Sequence, residues 1–240
     1  MCGIVGVVGN SNAVDILIQG LEKLEYRGYD SAGIYVTDAP DKGCLVKSVG
    51  RIADLRAKIS SDVKGSTGIG HTRWATHGQA TEDNAHPHTS ETGRFVLVHN
   101  GVIENYLQIK EEYLQGHKFK GQTDTEIAVH LIGKFVDEDG LSVLEALKKS
   151  LHIIQGSYAF ALVDSQAPDT IYVAKNKSPL LIGVGEGYNM VCSDAMAMIR
   201  ETSQFMEIHD KELVVLTKDA ITVTDYEGNA IERGTYTAEL

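Results

Sequence analysis

The sequence contains few cysteines: Cys2, Cys44 and Cys192 are the three in 240 residues. This odd and widely scattered set argues against a disulfide framework, which small secreted domains build from an even number of closely spaced cysteines. No secretory leader precedes Cys2, so we expect a cytoplasmic protein with reduced thiols. No apolar stretch is long enough to cross a bilayer, and we therefore expect a soluble protein.

Positive charge is also scarce, because 22 lysines and arginines face 33 aspartates and glutamates, giving a formal net charge of -11. Binding to nucleic acid or to an anionic membrane needs a basic surface, so we expect neither partner. The sequence contains no P-loop, no dinucleotide-binding fingerprint and no Ser-His-Asp signature. We therefore predict no cofactor.

Apolar residues make up 42% of the chain, which is enough for one large core, and we expect one domain. Helical periodicity occurs at 12–25, with Asn12 as N-cap, and at 104–115, 127–136 and 142–154. The predicted strands outnumber these helices and separate them into two groups. We predict an α+β fold, a four-layer α/β/β/α sandwich. The predicted strands are 3–8, 32–37, 44–49, 94–99, 157–164, 170–174, 180–184, 189–192, 212–217 and 221–225.

The polar sequence that follows Val223 marks the expected end of this domain. A turn is predicted at 225–229, and no apolar periodicity follows it. We expect the domain to occupy 1–225 and 226–240 to begin a linker.

Cys2 is the first candidate for chemistry. Methionine aminopeptidases remove Met1 only when a small residue follows, so a mature chain could carry a thiol and an α-amine on Cys2. These groups titrate near ~8.5 and ~7.7 to 8.0, and the amine could accept the thiol proton, directly or through a water molecule. A buried cysteine at the start of a strand is the alternative interpretation.

Residues 71–78, His-Thr-Arg-Trp-Ala-Thr-His-Gly, follow a short predicted strand at 68–70 and form the next candidate. The guanidinium of Arg73 could bind a substrate carboxylate through two parallel hydrogen bonds, and Gly78 permits the loop to move. Alternatively, Trp74 anchors a rigid turn and Arg73 is solvated.

The dipeptide Asn100-Gly101 is predicted to form a strand-to-helix turn, with a helix beginning near Glu104. A side-chain amide and a backbone N–H there could stabilise a tetrahedral oxyanion. The same dipeptide is common in tight hairpin turns, which is the alternative.

At 123–126, Thr-Asp-Thr-Glu has the spacing of a capping box, so Thr123 or Asp124 caps a helix. The carboxylate of Asp124 could also bind an ammonium group. Together with Arg73 it would then select an α-amino acid.

Histidines are concentrated at positions 71, 77, 86, 88 and 99. Their spacing matches no zinc motif and no paired cysteines accompany them, so we predict no metal site and expect these side chains to make hydrogen bonds.

Several segments together resemble one known family. The residues Cys2-Gly3-Ile4, the loop 71–78 and the segments described below occur in the order found in the glutaminase domains of the glucosamine-6-phosphate synthase family. The resemblance runs from residue 2 to about residue 220. The further segments are Leu-Glu-Tyr-Arg-Gly-Tyr-Asp-Ser-Ala-Gly (24–33), Asn-Ala-His-Pro-His (84–88), His-Asn-Gly (99–101) and Thr-Asp-Thr-Glu (123–126).

This resemblance implies an N-terminal-nucleophile fold and hydrolysis of L-glutamine to glutamate and ammonia through a thioester on Cys2. It implies that Asn100 and Gly101 form the oxyanion hole, that Arg73 and Asp124 bind the α-carboxylate and α-amine, and that Arg27 lies close to the nucleophile. The substrate-binding residues it implies also include Trp74, Thr76, His77 and His86.

The ammonia acceptor is also implied by the resemblance. In the related phosphoribosylpyrophosphate amidotransferases the early motif is His-Arg-Gly-Gln-Asp, whereas here Tyr26 and Tyr29 flank Arg27-Gly28, which favours the hexosamine branch. The family then implies fructose 6-phosphate as acceptor, bound by a further C-terminal domain, and a homodimer of the full-length enzyme. The alternatives are an amidotransferase of the phosphoribosylpyrophosphate type, a hydrolase of other acyl amides that has no use for an amino-acid carboxylate, and a non-catalytic glutamine-binding module in which Met1 blocks Cys2.

Overall fold

The apolar segments of the chain pair into two antiparallel sheets. The computed structural model describes residues 2–75 and 78–238. Within those ranges one sheet has eight strands, in the order β15-β11-β9-β10-β1-β4-β2-β3, and the other has seven, in the order β14-β13-β12-β8-β7-β6-β5. The strands of the first sheet are β1 Gly3–Val8, β2 Ser31–Thr37, β3 Cys44–Val49, β4 Thr67–Arg73, β9 Leu181–Val184, β10 Asn189–Cys192, β11 Gln204–Glu207 and β15 Tyr236–Thr237. Those of the second are β5 His88–Thr89, β6 Phe95–Ile103, β7 Gly156–Asp164, β8 Ile171–Asn176, β12 Glu212–Leu216, β13 Ile221–Asp225 and β14 Ala230–Ile231.

The helices cover the outer faces of the two sheets. Helices α1 and α2 pack on the first sheet, and α3, α4 and α5 pack on the second. A third apolar cluster lies between the sheets. The predicted four-layer α/β/β/α sandwich is therefore confirmed. The helices are α1 Ala13–Lys23, α2 Ile52–Lys58, α3 Tyr106–Tyr113, α4 Asp124–Asp137 and α5 Val143–Ile153, with 3-10 turns at Glu25–Arg27 and Ala195–Ala197.

Strand alternation explains why both faces of each sheet are apolar. In β1, Ile4 and Val8 point into the cluster between the sheets, while Val5 and Val7 point towards α1 and α2. Strands buried on both faces contain nearly continuous apolar runs. For this reason the strands of the core were predictable from the sequence.

The departures from prediction are short or weakly patterned elements. Helix α2 was not predicted, since it has only seven residues and buries only Ile52 and Leu55 among them. Its first turn is fixed by the Asp54 carboxylate, which accepts a hydrogen bond from the Arg51 N–H at 2.7 Å. The short strand expected at 68–70 extends over all of β4. Asn12 occupies the N-cap position of α1, but its side chain makes no capping hydrogen bond.

The last segment pairs with both sheets. The turn predicted at 225–229 is present, with a hydrogen bond from Asp225 N to Asn229 O at 3.0 Å. Beyond it, β14 pairs with β13 and β15 pairs with β11. The boundary at residue 225 and the linker at 226–240 stay predictions. Among the described helices, none combines the length and the apolar character needed to span a membrane.

We predict that Ile171→Ala lowers the free energy of unfolding by about 2 to 5 kcal/mol, because Ile171 is fully buried between the sheets and truncation leaves a cavity. Urea denaturation followed by circular dichroism measures this. The matched control is Leu107→Ala on α3, where the side chain is 58% exposed and a change within about 0.5 kcal/mol is expected. Equal effects of the two substitutions would contradict the assignment of the inter-sheet core.

Candidate active site

The pairing of β1 with β4 positions Cys2. Gly3 pairs with Thr72 in the antiparallel ladder, so the preceding residue, Cys2, lies opposite Arg73 at the end of the sheet. Arg73 also pairs with Ser31 of β2. A small pocket opens at this end, and Asp124 from the start of α4 reaches it from the layer beyond the second sheet. It is lined by Cys2, Arg73, Trp74, His86, His99, Gly101, Thr123, Asp124 and Thr125.

The sulfur of Cys2 accepts a hydrogen bond from the backbone N–H of Trp74 at 3.4 Å. Burial raises the pKa of the Cys2 thiol, and this hydrogen bond and the positive charge of Arg73 act in the opposite direction. The carboxylate of Asp30 also raises this pKa. The half-buried thiol is thus part of the pocket wall and is not packed into the apolar core.

His71 fixes the orientation of the Asn100 amide. Its Nε2 lies 2.9 Å from Asn100 Oδ1 and 3.0 Å from His99 O, and since both partners are acceptors, Nε2 carries the proton. Burial lowers the pKa of His71 to about 3, so the ring is neutral at physiological pH. The Asn100 Nδ2 group consequently faces Cys2 and donates to Cys2 O at 3.3 Å. The sequence did not single out His71 for this role.

The predicted turn at Asn100-Gly101 is wrong. Both residues lie within β6, which continues to Ile103 and pairs with β7, and the following helix begins at Tyr106. Gly101 has a φ of +120°, and a Cβ there would lie 2.2 Å from Ser157 O, so only glycine fits. Gly101 is therefore required by the distorted backbone of β6 beside the pocket, and not by a tight turn.

Arg73 holds the loop that follows it. Its guanidinium donates to Gln79 O at 2.9 Å and to Gly78 O at 3.4 Å, and burial lowers its pKa. Asp30 supports the other side of this loop by accepting from Ala75 N at 2.7 Å. The interpretation of Arg73 as a solvated side chain is wrong, because only 4% of the residue is exposed.

The start of α4 provides the carboxylate of the pocket. Thr123 is the N-cap and accepts from Glu126 N, as predicted, but the Glu126 carboxylate accepts from Lys120 N and Gly121 N and does not complete a capping box. Asp124 accepts from Ile103 N at 2.9 Å and from Thr125 N at 3.0 Å. These bonds hold the Asp124 carboxylate at the pocket, and both donors are backbone N–H groups rather than basic side chains.

Buried histidines surround the pocket, and His86 and His99 line it. The ring of His86 stacks on that of His71 with centroids 3.9 Å apart, and its Nδ1 accepts from His99 N at 3.3 Å. His99 Nδ1 lies 2.8 Å from Thr125 Oγ1, and His88 Nε2 lies 2.9 Å from Thr123 Oγ1. Burial lowers the pKa values of His86, His88 and His99. These neutral rings make the hydrogen bonds that the sequence led us to expect.

Four more residues were predicted for the site, namely Trp74, Arg27, Thr76 and His77. Trp74 is at the pocket, with 51% of the residue exposed. Arg27 is absent from the described pocket lining; its guanidinium is paired with Asp194 at 2.5 Å and lies 3.3 Å from Tyr26 Oη. Thr76 and His77 fall outside the described residues.

Comparisons with known proteins relate this site to a family. A family model described as a glutamine amidotransferase domain matches residues 71–201. Over all 240 residues the chain is 83% identical to the glutamine--fructose-6-phosphate aminotransferase [isomerizing] of Streptococcus pyogenes serotype M1 and 82% identical to that of Streptococcus mutans serotype c. The chain spans 40% of the length of these curated relatives.

A solved structure shares the fold. It is the glutamine phosphoribosylpyrophosphate amidotransferase from B. subtilis complexed with ADP and GMP, with a TM-score of 0.81 and 29% sequence identity. The match covers 95% of this chain and 50% of that one. The two-sheet sandwich is therefore the fold of class II amidotransferases, as the resemblance implied.

We predict that Asp30→Asn shifts the pH midpoint of Cys2 alkylation downwards and accelerates the reaction at pH 7. The thiolate is the reactive form, and the Asp30 carboxylate raises the thiol pKa, so removing its charge favours the thiolate. Iodoacetamide labelling followed by peptide mass spectrometry measures the Cys2 rate at each pH, on samples whose N-terminal residue is verified by intact mass.

The matched control for this measurement is Asp62→Asn, at an exposed aspartate. An upward shift in the Asp30 variant, or the same shift in both variants, would contradict the electrostatic coupling between Asp30 and the sulfur.

Proposed function

Because the chain belongs to the family of glutamine amidotransferase domains, we propose that Cys2 is the nucleophile that hydrolyses the side-chain amide of L-glutamine to glutamate and ammonia. The observation that carries this proposal is the Asn100 amide nitrogen held beside Cys2, which lines a pocket together with Arg73 and Asp124. The arrangement supplies a nucleophile, an oxyanion donor and two groups of opposite charge for an α-amino acid.

The first chemical step is attack of the Cys2 sulfur on the side-chain carbonyl carbon of glutamine. The C–S bond forms, the carbonyl π electrons move to oxygen, and the thiol proton passes to the α-amine of Cys2 once Met1 is removed. Collapse of this tetrahedral intermediate breaks the C–N bond, and the leaving nitrogen takes the proton and departs as ammonia. Water then attacks the thioester, releasing glutamate and regenerating the thiol.

Asn100 and Gly101 are the proposed oxyanion donors. The amide nitrogen of Asn100 is preorganised by His71, so no reorientation is needed when charge develops on the substrate oxygen. Loss of one such donor typically lowers kcat by about 10²- to 10³-fold. A charged His71 would bring a positive charge into the same site, and burial prevents this by keeping the ring neutral.

Arg73 and Asp124 are the proposed partners of the α-carboxylate and the α-amine. Both line the pocket together with Cys2. Asp124 accepts hydrogen bonds from backbone N–H groups, which do not neutralise its charge. The loop after Arg73, with Trp74, Thr76 and His77, would cover the bound amino acid, and His86 forms the wall beneath it. Arg27 is assigned to the vicinity of the nucleophile by the resemblance alone.

The ammonia acceptor is proposed from the relatives. The curated relatives are named as glutamine--fructose-6-phosphate aminotransferases at 82–83% identity, whereas the phosphoribosylpyrophosphate enzyme is 29% identical. We therefore assign fructose 6-phosphate as the acceptor, bound by a part of the longer protein beyond this chain, and glucosamine 6-phosphate as its product. A cytoplasmic homodimer with no nucleic-acid or membrane partner completes the proposal.

Cys2→Ala is expected to lower the glutaminase rate at least about 10³-fold, since the thioester cannot form without the sulfur. Coupled glutamate dehydrogenase and direct ammonia assays measure the rate on protein from which Met1 has been removed. Cys44→Ala is the control, because Cys44 lies in β3, outside the described lining of the pocket. Undiminished glutamate release by folded Cys2→Ala would rule out the assigned nucleophile.

Arg73→Gln is expected to raise KM for glutamine roughly 10- to 100-fold, the effect of removing a charge-assisted hydrogen-bond partner of the substrate carboxylate. Arg200→Gln, at an exposed arginine, is the control and should leave KM unchanged. An acyl-amide hydrolase that does not recognise an amino acid would be unaffected by Arg73→Gln. Unchanged KM in a folded Arg73 variant would therefore favour that alternative over glutamine.

A further inference from the structure

Outside the pocket, three potential ligand atoms converge on the far part of α4. They are Glu91 Oε2 from the turn between β5 and β6, His117 Nδ1 from the segment between α3 and α4, and His130 Nδ1 from α4 itself. The two Nδ1 atoms are 2.9 Å apart, and Glu91 Oε2 lies 3.8 Å from His117 Nδ1 and 3.5 Å from His130 Nδ1. This cluster could not be predicted from the sequence, since its members are 26 and 13 residues apart.

The outer nitrogens of both histidines face carboxylates. His117 Nε2 lies 2.8 Å from Glu138 Oε2, and His130 Nε2 lies 3.6 Å from Glu126 Oε2. The Glu138 carboxylate accepts a hydrogen bond, so His117 Nε2 carries the proton of the neutral ring and His117 Nδ1 directs its lone pair inwards. When His130 carries its proton on Nε2, which faces Glu126 beyond hydrogen-bond distance, two lone pairs and the Glu91 carboxylate meet at a position suited to a metal ion. In the other tautomer, His130 Nδ1 donates a hydrogen bond to His117 Nδ1 and no cation is needed.

The spacing of the three atoms is that of a tetrahedral metal site. A zinc ion with ligand bonds of about 2.0 to 2.1 Å separates its ligands by about 3.3 Å, and the three observed separations of 2.9, 3.5 and 3.8 Å bracket this value. The carboxylates behind the histidines match the outer contacts that orient metal-binding imidazoles. The Glu91 carboxylate is itself held, accepting from Lys118 N at 3.0 Å.

The charge and exposure of the cluster also suit a dication. Three carboxylates, those of Glu91, Glu126 and Glu138, lie within 4 Å of the two rings, which favours a bound cation. The side chains of His117 and His130 are 6% and 2% exposed, whereas that of Glu91 is 37% exposed, which leaves a fourth ligand position open to water. We propose that Glu91, His117 and His130 bind one Zn²⁺ ion, which links the turn after β5, the segment before α4 and α4. The prediction that the histidines at 71–99 bind no metal concerns other residues and is unaffected.

The test is isothermal titration calorimetry, in which Zn²⁺ is titrated into chelator-treated protein that carries no polyhistidine tag. All samples carry Cys2→Ala, so that the pocket thiol does not bind the added metal. We expect one equivalent of Zn²⁺ per chain and, at about 100 times Kd, a rise in Tm of roughly 5 to 10 °C. Co²⁺ in place of Zn²⁺ should give the intense visible absorption of tetrahedral coordination.

Three variants and a control separate this site from other metal binding. His117→Gln and Glu91→Gln should abolish the stoichiometric binding, and Glu138→Gln, at a side chain that is 53% exposed, should weaken it roughly 10- to 100-fold. His152→Gln, at a histidine whose side chain is 54% exposed, should change nothing. Glu138→Gln keeps the test decisive where a ligand variant fails to fold, because Glu138 lies at the surface.

Two results would overturn the proposal. Absence of stoichiometric Zn²⁺ binding in the parent protein would mean that the two Nδ1 atoms share a hydrogen bond and bind no metal. Equal Zn²⁺ affinity in the parent protein and in folded His117→Gln and Glu138→Gln would place the bound metal elsewhere.

Discussion

The pairing of β1 on both sides is the constraint on which the site depends. Strand β1 lies between β10 and β4, with hydrogen-bonded ladders on each side and apolar clusters on each face. A central strand buried in this way cannot shift its register without moving all its side chains to the opposite face. The residue before it is therefore fixed in space, and Cys2 is that residue. A thiol near a chain terminus, where order is usually weakest, gains its position from the middle of a sheet.

Desolvation is the second constraint, and it acts through the histidines. Four buried imidazoles around the pocket could each acquire a charge in water at mildly acid pH, but burial lowers their pKa values and keeps them neutral. A neutral His71 has one N–H, which bonds to two oxygens and determines which end of the Asn100 amide faces the backbone oxygen of Cys2. Arg73 keeps a positive charge beside the negative charges of Asp30 and Asp124.

Much of this organisation could be predicted from the sequence. Nearly continuous apolar runs identified the buried strands, and the motifs at 71–78, 99–101 and 123–126 do supply residues to one pocket. The role of His71 could not be predicted, because it depends on two carbonyl oxygens brought within reach by pairing across 28 residues. The turn at Asn100-Gly101 was expected because local propensity favours it. Pairing of β6 with β7 prevails over that propensity, and the positive φ of Gly101 appears in a strand.

Helix α4 connects the pocket with the cluster proposed to bind zinc. Asp124 opens the helix at the pocket, and His130 lies six residues later, about 9 Å along the axis and on a different face. Glu126 lies between them, and its carboxylate fixes the preceding loop through Lys120 N and Gly121 N while it faces His130. The position of the start of α4 thus depends on the Glu126 carboxylate, which also faces the cluster. A cation between His117 and His130 would therefore influence the pocket only through the placement of α4, since neither histidine lines it.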